Sequence, residues 1–200
     1  MNPLVSLQAF WLGLEEPELD HVERGVIVFE LAPHWHIYWE NYGDSGMSTS
    51  IDHGTLLYPT PKRIPLPGDL QSYGYEGRVV FFIPKVGAEI TVRWLACKGD
   101  TCIPGKKRLS FQRGLVDDFQ EEWGSLPQEC SFDWLERGNS ISEVHGEAHS
   151  WMAPYSDISG SVLSQSKEKQ MHRIQWNTNH PRGRFLWVNG DMSCILRINQ

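Results

Sequence analysis

The chemistry in this 200-residue chain gathers in one stretch, WLACKGDTCIPG, where Cys97 and Cys102 flank Lys-Gly-Asp-Thr. A Gly-Asp centre suits a tight turn, so the two cysteines are expected to face each other across a hairpin loop. Facing strand positions lie about 4.5–5.5 Å apart at Cα, within the reach of a disulfide. A loop this short constrains the unfolded chain little, which makes the bond a poor staple and a reasonable redox handle. Lys98, Lys106 and Lys107 favour a thiolate, and Asp100 opposes it. Pro104 carries no amide donor and leaves its strand edge open to a partner. From these residues alone, a structural disulfide, a redox dithiol, and free or metal-bound thiols all stay open. Zinc would need two more ligands. Cys130 and Cys194 can pair with each other or stay free, and they form no second close pair, so their default reading is as small buried hydrophobes.

Other groupings are weaker. His34 and His36 would share one face of a strand, but two ligands fall short of the three or four a copper or zinc site wants. His145 and His149 have helical spacing, and Gly146 between them argues against a helix. Asp117, Asp118, Glu121 and Glu122 read as the polar face of a helix. No Gly-x-Ser-x-Gly and no phosphate-cradling glycine loop is present. With 18 basic against 25 acidic residues and a net charge of −7, a nucleic-acid surface is excluded, because that affinity rests on clustered Lys and Arg. Lys106-Lys107-Arg108 is too short a basic run to reverse this. The nine tryptophans are expected in a β core, the alternative being exposed rings that grip a ligand.

The elements that must hold the cysteines are strands. RGVIVFELAP (24–33), HWHIYWENYGDSG (34–46) and GRVVFFIP (77–84) are β-rich runs closed by proline or a Gly/Asp turn. In AEITVRWLAC (88–97), Ile90, Val92, Trp94 and Ala96 alternate against Thr91, Arg93 and Leu95, and KKRLSF (106–111) supplies a return strand. Residues 54–70, with four prolines, read as a long loop with at most an edge strand. Val116, Phe119 and Trp123 fall at helical spacing, stopped by Gly124 and Pro127. GRFLWVNGDMSCILRI (183–198) reads as a hairpin turning at Asn189-Gly190. The expected organisation is all-β: a sandwich over 1–115, a linker helix over 116–127, and a smaller β unit over 128–200. The start of the chain shows no basic n-region or cleavage site, and no run reaches the roughly 20 apolar residues of a membrane helix.

Three blocks then carry a resemblance. HWHIYWENYGDSGMST (34–49), SYGYEGRVVFFIP (72–84) and RWLACKGDTCIPG (93–105) resemble, in order and spacing, the N-terminal periplasmic domain of the thiol:disulfide interchange protein DsbD family, in the branch that includes the copper-sensitivity suppressor ScsB. The likeness spans about residues 5–113, and no motif carries it through 128–200. It implies an immunoglobulin-like fold, a periplasmic location and a cysteine pair that cycles between disulfide and dithiol. Electrons would come from a membrane-linked thioredoxin-like donor and pass to thioredoxin-fold acceptors such as disulfide isomerases. Cys102, beside Ile103-Pro104, matches the cysteine that forms the mixed disulfide, and Cys97 the one that resolves it. No cofactor or metal is implied. Tyr73-Gly74 aligns with a loop that caps the cysteines. The better-known members carry acidic residues and a Phe just before it, where this chain has Leu70, Gln71 and Ser72. The cap would therefore rest on Tyr73 or Tyr75. Trp35, His36 and Tyr38 fall where the family has aromatic residues near the site. The rival reading is a secreted β-sandwich that binds carbohydrate or peptide, with a purely structural Cys97–Cys102 bond.

Overall fold

Two apolar runs explain the first half of the molecule. In the computed structural model, VIVF of RGVIVFEL and VVFFI of RVVFFI are buried without alternation, which requires cover on both faces of their sheet. The structure describes residues 4–12, 24–84, 89–114, 116–130, 136–137, 141–145, 150–157, 162–168, 170–177 and 183–198. The chain divides into two compact units, Met1–Leu126 and Pro127–Gln200.

The first unit is a two-sheet, immunoglobulin-like sandwich. Its strands are β1 (Val5–Leu12), β2 (Arg24–Leu31), β3 (His36–Gly43), β4 (Ser50–Ile51), β5 (Lys62–Leu66), β6 (Leu70–Glu76), β7 (Arg78–Ile83), β8 (Glu89–Lys98), β9 (Thr101–Ser110) and β10 (Gln112–Gly114). One sheet has the order β10-β1-β2-β7; the other runs β4-β8-β3-β6-β5, with β9 paired to the far edge of β8. Between the sheets, Phe29 meets Phe81 and Trp94 edge-on, and Tyr58 and Tyr75 both meet Phe81. Such aromatic contacts add roughly 0.5–1.5 kcal/mol each beyond area burial.

The opposite face of the first sheet is covered by a 3-10 turn (Val116–Phe119) running into α1 (Gln120–Gly124). Phe119 and Leu126 are buried against Val26, Val28, Val80 and Phe82. Trp123 packs edge-on against Phe82 and lies under the Arg24 guanidinium, and Glu122 pairs with Arg78. The helix read from sequence as a linker is thus the lid of the first unit's second core, which is why β2 and β7 carry apolar residues on both faces.

The second unit repeats the two-sheet principle. It comprises β11 (Gln128–Glu129), β12 (Glu136–Arg137), β13 (Ile141–His145), β14 (Trp151–Pro154), β15 (Val162–Glu168), β16 (Met171–Trp176), β17 (Gly183–Asn189) and β18 (Met192–Ile198). The sheets run β11-β18-β17-β14 and β12-β13-β16-β15. They enclose a core of Val144, Met152, Ile174, Trp176, Phe185, Trp187 and Leu196. The β17–β18 hairpin pairs Asn189 with Met192, so its loop is Gly190-Asp191 rather than Asn189-Gly190. The turn opens on Gly190 at φ 59, a left-handed conformation that glycine adopts without steric cost.

Two sequence expectations are corrected here. Residues 62–66 form the edge strand that the proline-rich stretch allowed, paired along β6 at the end of its sheet; the correction there is only that less of 54–70 is loop. Cys130 and Cys194 are not free buried thiols but a disulfide. The parallel β11–β18 pairing sets Gln128 opposite Cys194 and Glu129 opposite Ile195. That brings the two cysteine Cα atoms to 5.0 Å across 64 residues of sequence, a contact no local pattern announces.

Candidate redox site

Strands β8 and β9 form a ribbon whose register pairs Lys98 with Thr101 and Cys97 with Cys102. The connection is the two residues Gly99-Asp100, with Gly99 at φ 53, as the primed hairpin turns require. In such a hairpin the pair beside the loop exchanges hydrogen bonds and the next pair does not, so Cys97 and Cys102 hold the closer, non-hydrogen-bonded position. Their Cα atoms are 4.1 Å apart and the two sulfurs are joined.

The two cysteines differ in access. Cys97 is 1% exposed, whereas Cys102 is exposed at the outer strand of the sheet. Pairing explains the difference. Cys97 has β9 on one side and His36 of β3 on the other; among the described residues β9 is paired with β8 alone. Pro104 is exposed on the same strand, opposite Leu95. Within the ribbon the Trp94 ring occupies the space a side chain at Gly105 would need.

A row of facing residues crosses four strands: Cys102 on β9, Cys97 on β8, His36 on β3 and Glu76 on β6. Directly opposed residues share a face of the sheet. Tyr38, two residues along β3, joins them: its hydroxyl lies 3.2 Å from His36 Nε2, and the rings meet edge-on at 5.1 Å. Burial lowers the His36 pKa, partly offset by the Glu76 carboxylate, and burial raises that of Tyr38. Both therefore favour their neutral forms at neutral pH.

The segment after β3 lies across this face. A Cβ at Gly46 would overlap the Tyr38 ring, and Thr49 N–H donates to Tyr38 O at 3.3 Å. The segment is held by Asp44, whose Oδ2 accepts from Gln71 N–H at 2.7 Å, and by Ser72 Oγ, which donates to Ser45 O at 2.6 Å. The Gly-Asp-Ser-Gly run is thus a strap pinned to the start of β6.

The residues expected to cap the cysteines are placed differently. Tyr73, Gly74 and Tyr75 are not in a loop; they lie within β6, between β3 and β5. Tyr75 is buried, donates its hydroxyl to Pro59 O at 2.7 Å and packs on Phe81, which fixes it in the core between the sheets. Tyr73 meets Trp39 edge-on. Gly74 has no room for a Cβ, because Ile37 O occupies that space. Trp35 is buried just ahead of β3, on the alternation of Ile37 and Trp39 and not that of His36 and Tyr38. Of the aromatic residues expected near the site, Tyr38 and His36 share the cysteine face. Glu76 ends the SYGYE stretch with no local signal of a role; the β3–β6 register brings it into the row.

The paired-histidine idea is also corrected. His34 sits in a turn at φ 69 and is exposed, while His36 is buried, so they do not share a strand face. His145 lies in β13, and His149 and Gly146 fall outside the described residues. Five tryptophans, 35, 39, 94, 176 and 187, are buried, and among the described residues no tryptophan is exposed. Among those residues, then, no fully exposed tryptophan offers a ring to a ligand.

Comparison with known proteins bears on the same ribbon. Residues 12–113, just over half of the chain, match the family described as "Thiol:disulfide interchange protein DsbD, N-terminal". Among solved structures, the chain is similar in fold to the N-terminal periplasmic domain of ScsB from Proteus mirabilis. The TM-score is 0.66 at 14% identity, covering 99% of this chain and 94% of that one. No curated protein sequence matches the chain. Among the described residues no helix is long and apolar enough to cross a membrane.

Proposed function

Because this chain belongs to the family of DsbD N-terminal domains, we propose that it is a periplasmic thiol–disulfide exchange domain that relays electrons through Cys97 and Cys102. It accepts two electrons from a thioredoxin-like donor and passes them to thioredoxin-fold proteins. The observation that carries the reading is the unequal exposure of one bonded pair: Cys102 is open at the tip of a β-ribbon, and Cys97 is 1% exposed beside it.

The steps follow from that asymmetry. In the reduced form the Cys102 thiolate attacks a partner disulfide, forming a mixed disulfide and expelling one partner thiolate. Cys97 then attacks Cys102 Sγ, restoring the Cys97–Cys102 bond and releasing the second partner thiolate. Two electrons and two protons leave the domain. Pro104, exposed two residues from Cys102, keeps that strand edge free of one backbone donor and leaves room for a partner loop.

Two measurements test this. Cys97→Ser should trap a mixed disulfide through Cys102 with an oxidised thioredoxin-fold protein, seen as a reducible band of summed mass, and Cys102→Ser should not. Equal trapping by both variants would overturn the assigned roles. Titration against glutathione buffers should reduce Cys97–Cys102 readily; a bond that resists the whole buffer range is a structural one.

A further inference from the structure

The relay leaves one chemical problem unsolved. Cys102 meets solvent and can lose its proton there. Cys97 is 1% exposed, and burial in apolar surroundings disfavours a thiolate. Yet Cys97 must become a thiolate to resolve the mixed disulfide. The described residue opposite Cys97 on the side away from Cys102 is His36.

We propose that the His36 imidazole takes the proton from the Cys97 thiol during resolution, with Tyr38 orienting the ring and Glu76 stabilising the imidazolium. This rests on the relay reading above and adds an acid–base partner to it. The geometry supplies each part. Opposed side chains on neighbouring strands stand about 4.5–5.5 Å apart at Cβ, which brings His36 beside Cys97 on one side and Glu76 on the other. Tyr38 engages Nε2 at 3.2 Å, and among the described residues Nδ1 has no hydrogen-bond partner. In the tautomer that donates Nε2–H to the Tyr38 oxygen, the lone pair on Nδ1 is the one left to receive a proton. Among the described residues, the titratable groups facing the ring are Tyr38 on its own strand, Cys97 on β8 and Glu76 on β6, with Asp44 on the strap that crosses this face. Behind Glu76 stands Lys62 of β5, its Nζ 3.8 Å from the carboxylate. Burial keeps the resting imidazole neutral and ready to accept.

The step balances. Cys97 S–H loses its proton to His36, and the thiolate attacks Cys102 Sγ. The Cys97–Cys102 bond forms as the Cys102–partner bond breaks, and the electron pair leaves on the partner sulfur. The imidazolium then passes its proton to that departing thiolate or to water. In the reverse direction, when a donor thiolate opens the disulfide at Cys102, the imidazolium protonates the departing Cys97 thiolate.

Oxidised glutathione serves as the probe, acting on the reduced full-length chain. Cys102 takes up one glutathione, and the lifetime of that adduct measures resolution by Cys97. Acid quenching and mass spectrometry follow the adduct from pH 5 to pH 9, with each lifetime set against the rate of its formation. His36→Gln keeps a side chain able to hydrogen-bond Tyr38 but cannot accept the proton. It should lengthen the adduct lifetime at neutral pH by at least about tenfold, with the deficit closing toward pH 9 as hydroxide takes over. Glu76→Gln, at a half-exposed position, should move the rising limb of the resolution profile to lower pH, because the imidazolium loses its nearby carboxylate. Native lifetimes and an unmoved profile in both variants would overturn the proposal, and so would a pH-independent slowing in His36→Gln, which is what a purely structural role gives. Should His36→Gln fail to fold, the Glu76→Gln profile decides alone. If the unmutated chain forms no adduct on Cys102 at all, the relay reading itself fails, and not merely the part assigned to His36.

Discussion

Cys97 and Cys102 stand directly opposite each other on one β-ribbon, and only Cys102 meets solvent. The bond between them is therefore two-faced: one sulfur belongs to the sheet and the other to the surface. In the reduced chain, Cys102 should react with iodoacetamide at least about tenfold faster than Cys97 at pH 7.5, since access and thiolate fraction both favour it. Peptide mass spectrometry after short pulses measures both rates together. Equal rates would mean that reduction opens the ribbon and that the exposure difference belongs to the disulfide form alone.

The second disulfide should behave as a staple. Cys130–Cys194 closes 64 residues and Cys97–Cys102 closes 5. Loop entropy assigns about 4 kcal/mol to the first and about 2 kcal/mol to the second. Stepwise reduction should open Cys97–Cys102 first and leave Cys130–Cys194 intact. The double variant Cys130→Ala with Cys194→Ala should lose about 4 kcal/mol from the second unit in urea unfolding, whereas the Cys97→Ala and Cys102→Ala pair should cost the first unit about half as much. The opposite order of reduction would exchange the roles of the two bonds.

The 3-10 turn ahead of α1 should prove part of the first unit's core. Phe119 is 6% exposed and packs against Phe10 with ring centroids 5.7 Å apart. Truncating a buried Phe to Ala typically costs about 3–5 kcal/mol. Phe119→Ala should therefore lower hydrogen-exchange protection in β2 and β7 of the full-length chain. Were protection in those strands unchanged, the turn would be a mere connector.

The second unit should weaken in acid. His172 is buried, its Nε2 lies 2.8 Å from Ser150 Oγ, and its pKa is lowered to about 4 by burial and then by Lys167. Between the ordinary histidine value near 6.5 and that lowered value, the unfolded chain binds a proton that the native unit does not. Stability is thus complete above about pH 6.5 and falls as pH drops toward 4. Urea midpoints for the second unit, read by exchange in β16 across that range, should show this slope, and His172→Gln should flatten it. An unchanged slope in the variant would place the acid sensitivity elsewhere.

What the sequence determined by itself is local. Alternation in Ile90, Val92, Trp94 and Ala96 set the inward face of β8, and Gly99-Asp100 set a two-residue turn. A turn of that length fixes the pairing of the residues beside it, so Cys97 facing Cys102 was readable from a dozen letters. What the tertiary structure alone decided is who stands on the far side of β8. His36 is 61 residues upstream of Cys97, and Glu76 reaches the row only through the register of β3 with β6. The resemblance placed Tyr73-Gly74 in a capping loop, yet these residues lie in a strand, Gly74 close against Ile37 and Tyr75 packed on Phe81. The Cys130–Cys194 bond likewise waits on the β11–β18 pairing. Contacts between neighbours in sequence are set by turn geometry. Contacts between distant strands are set by which faces must be buried together, and no single stretch of chain carries that information.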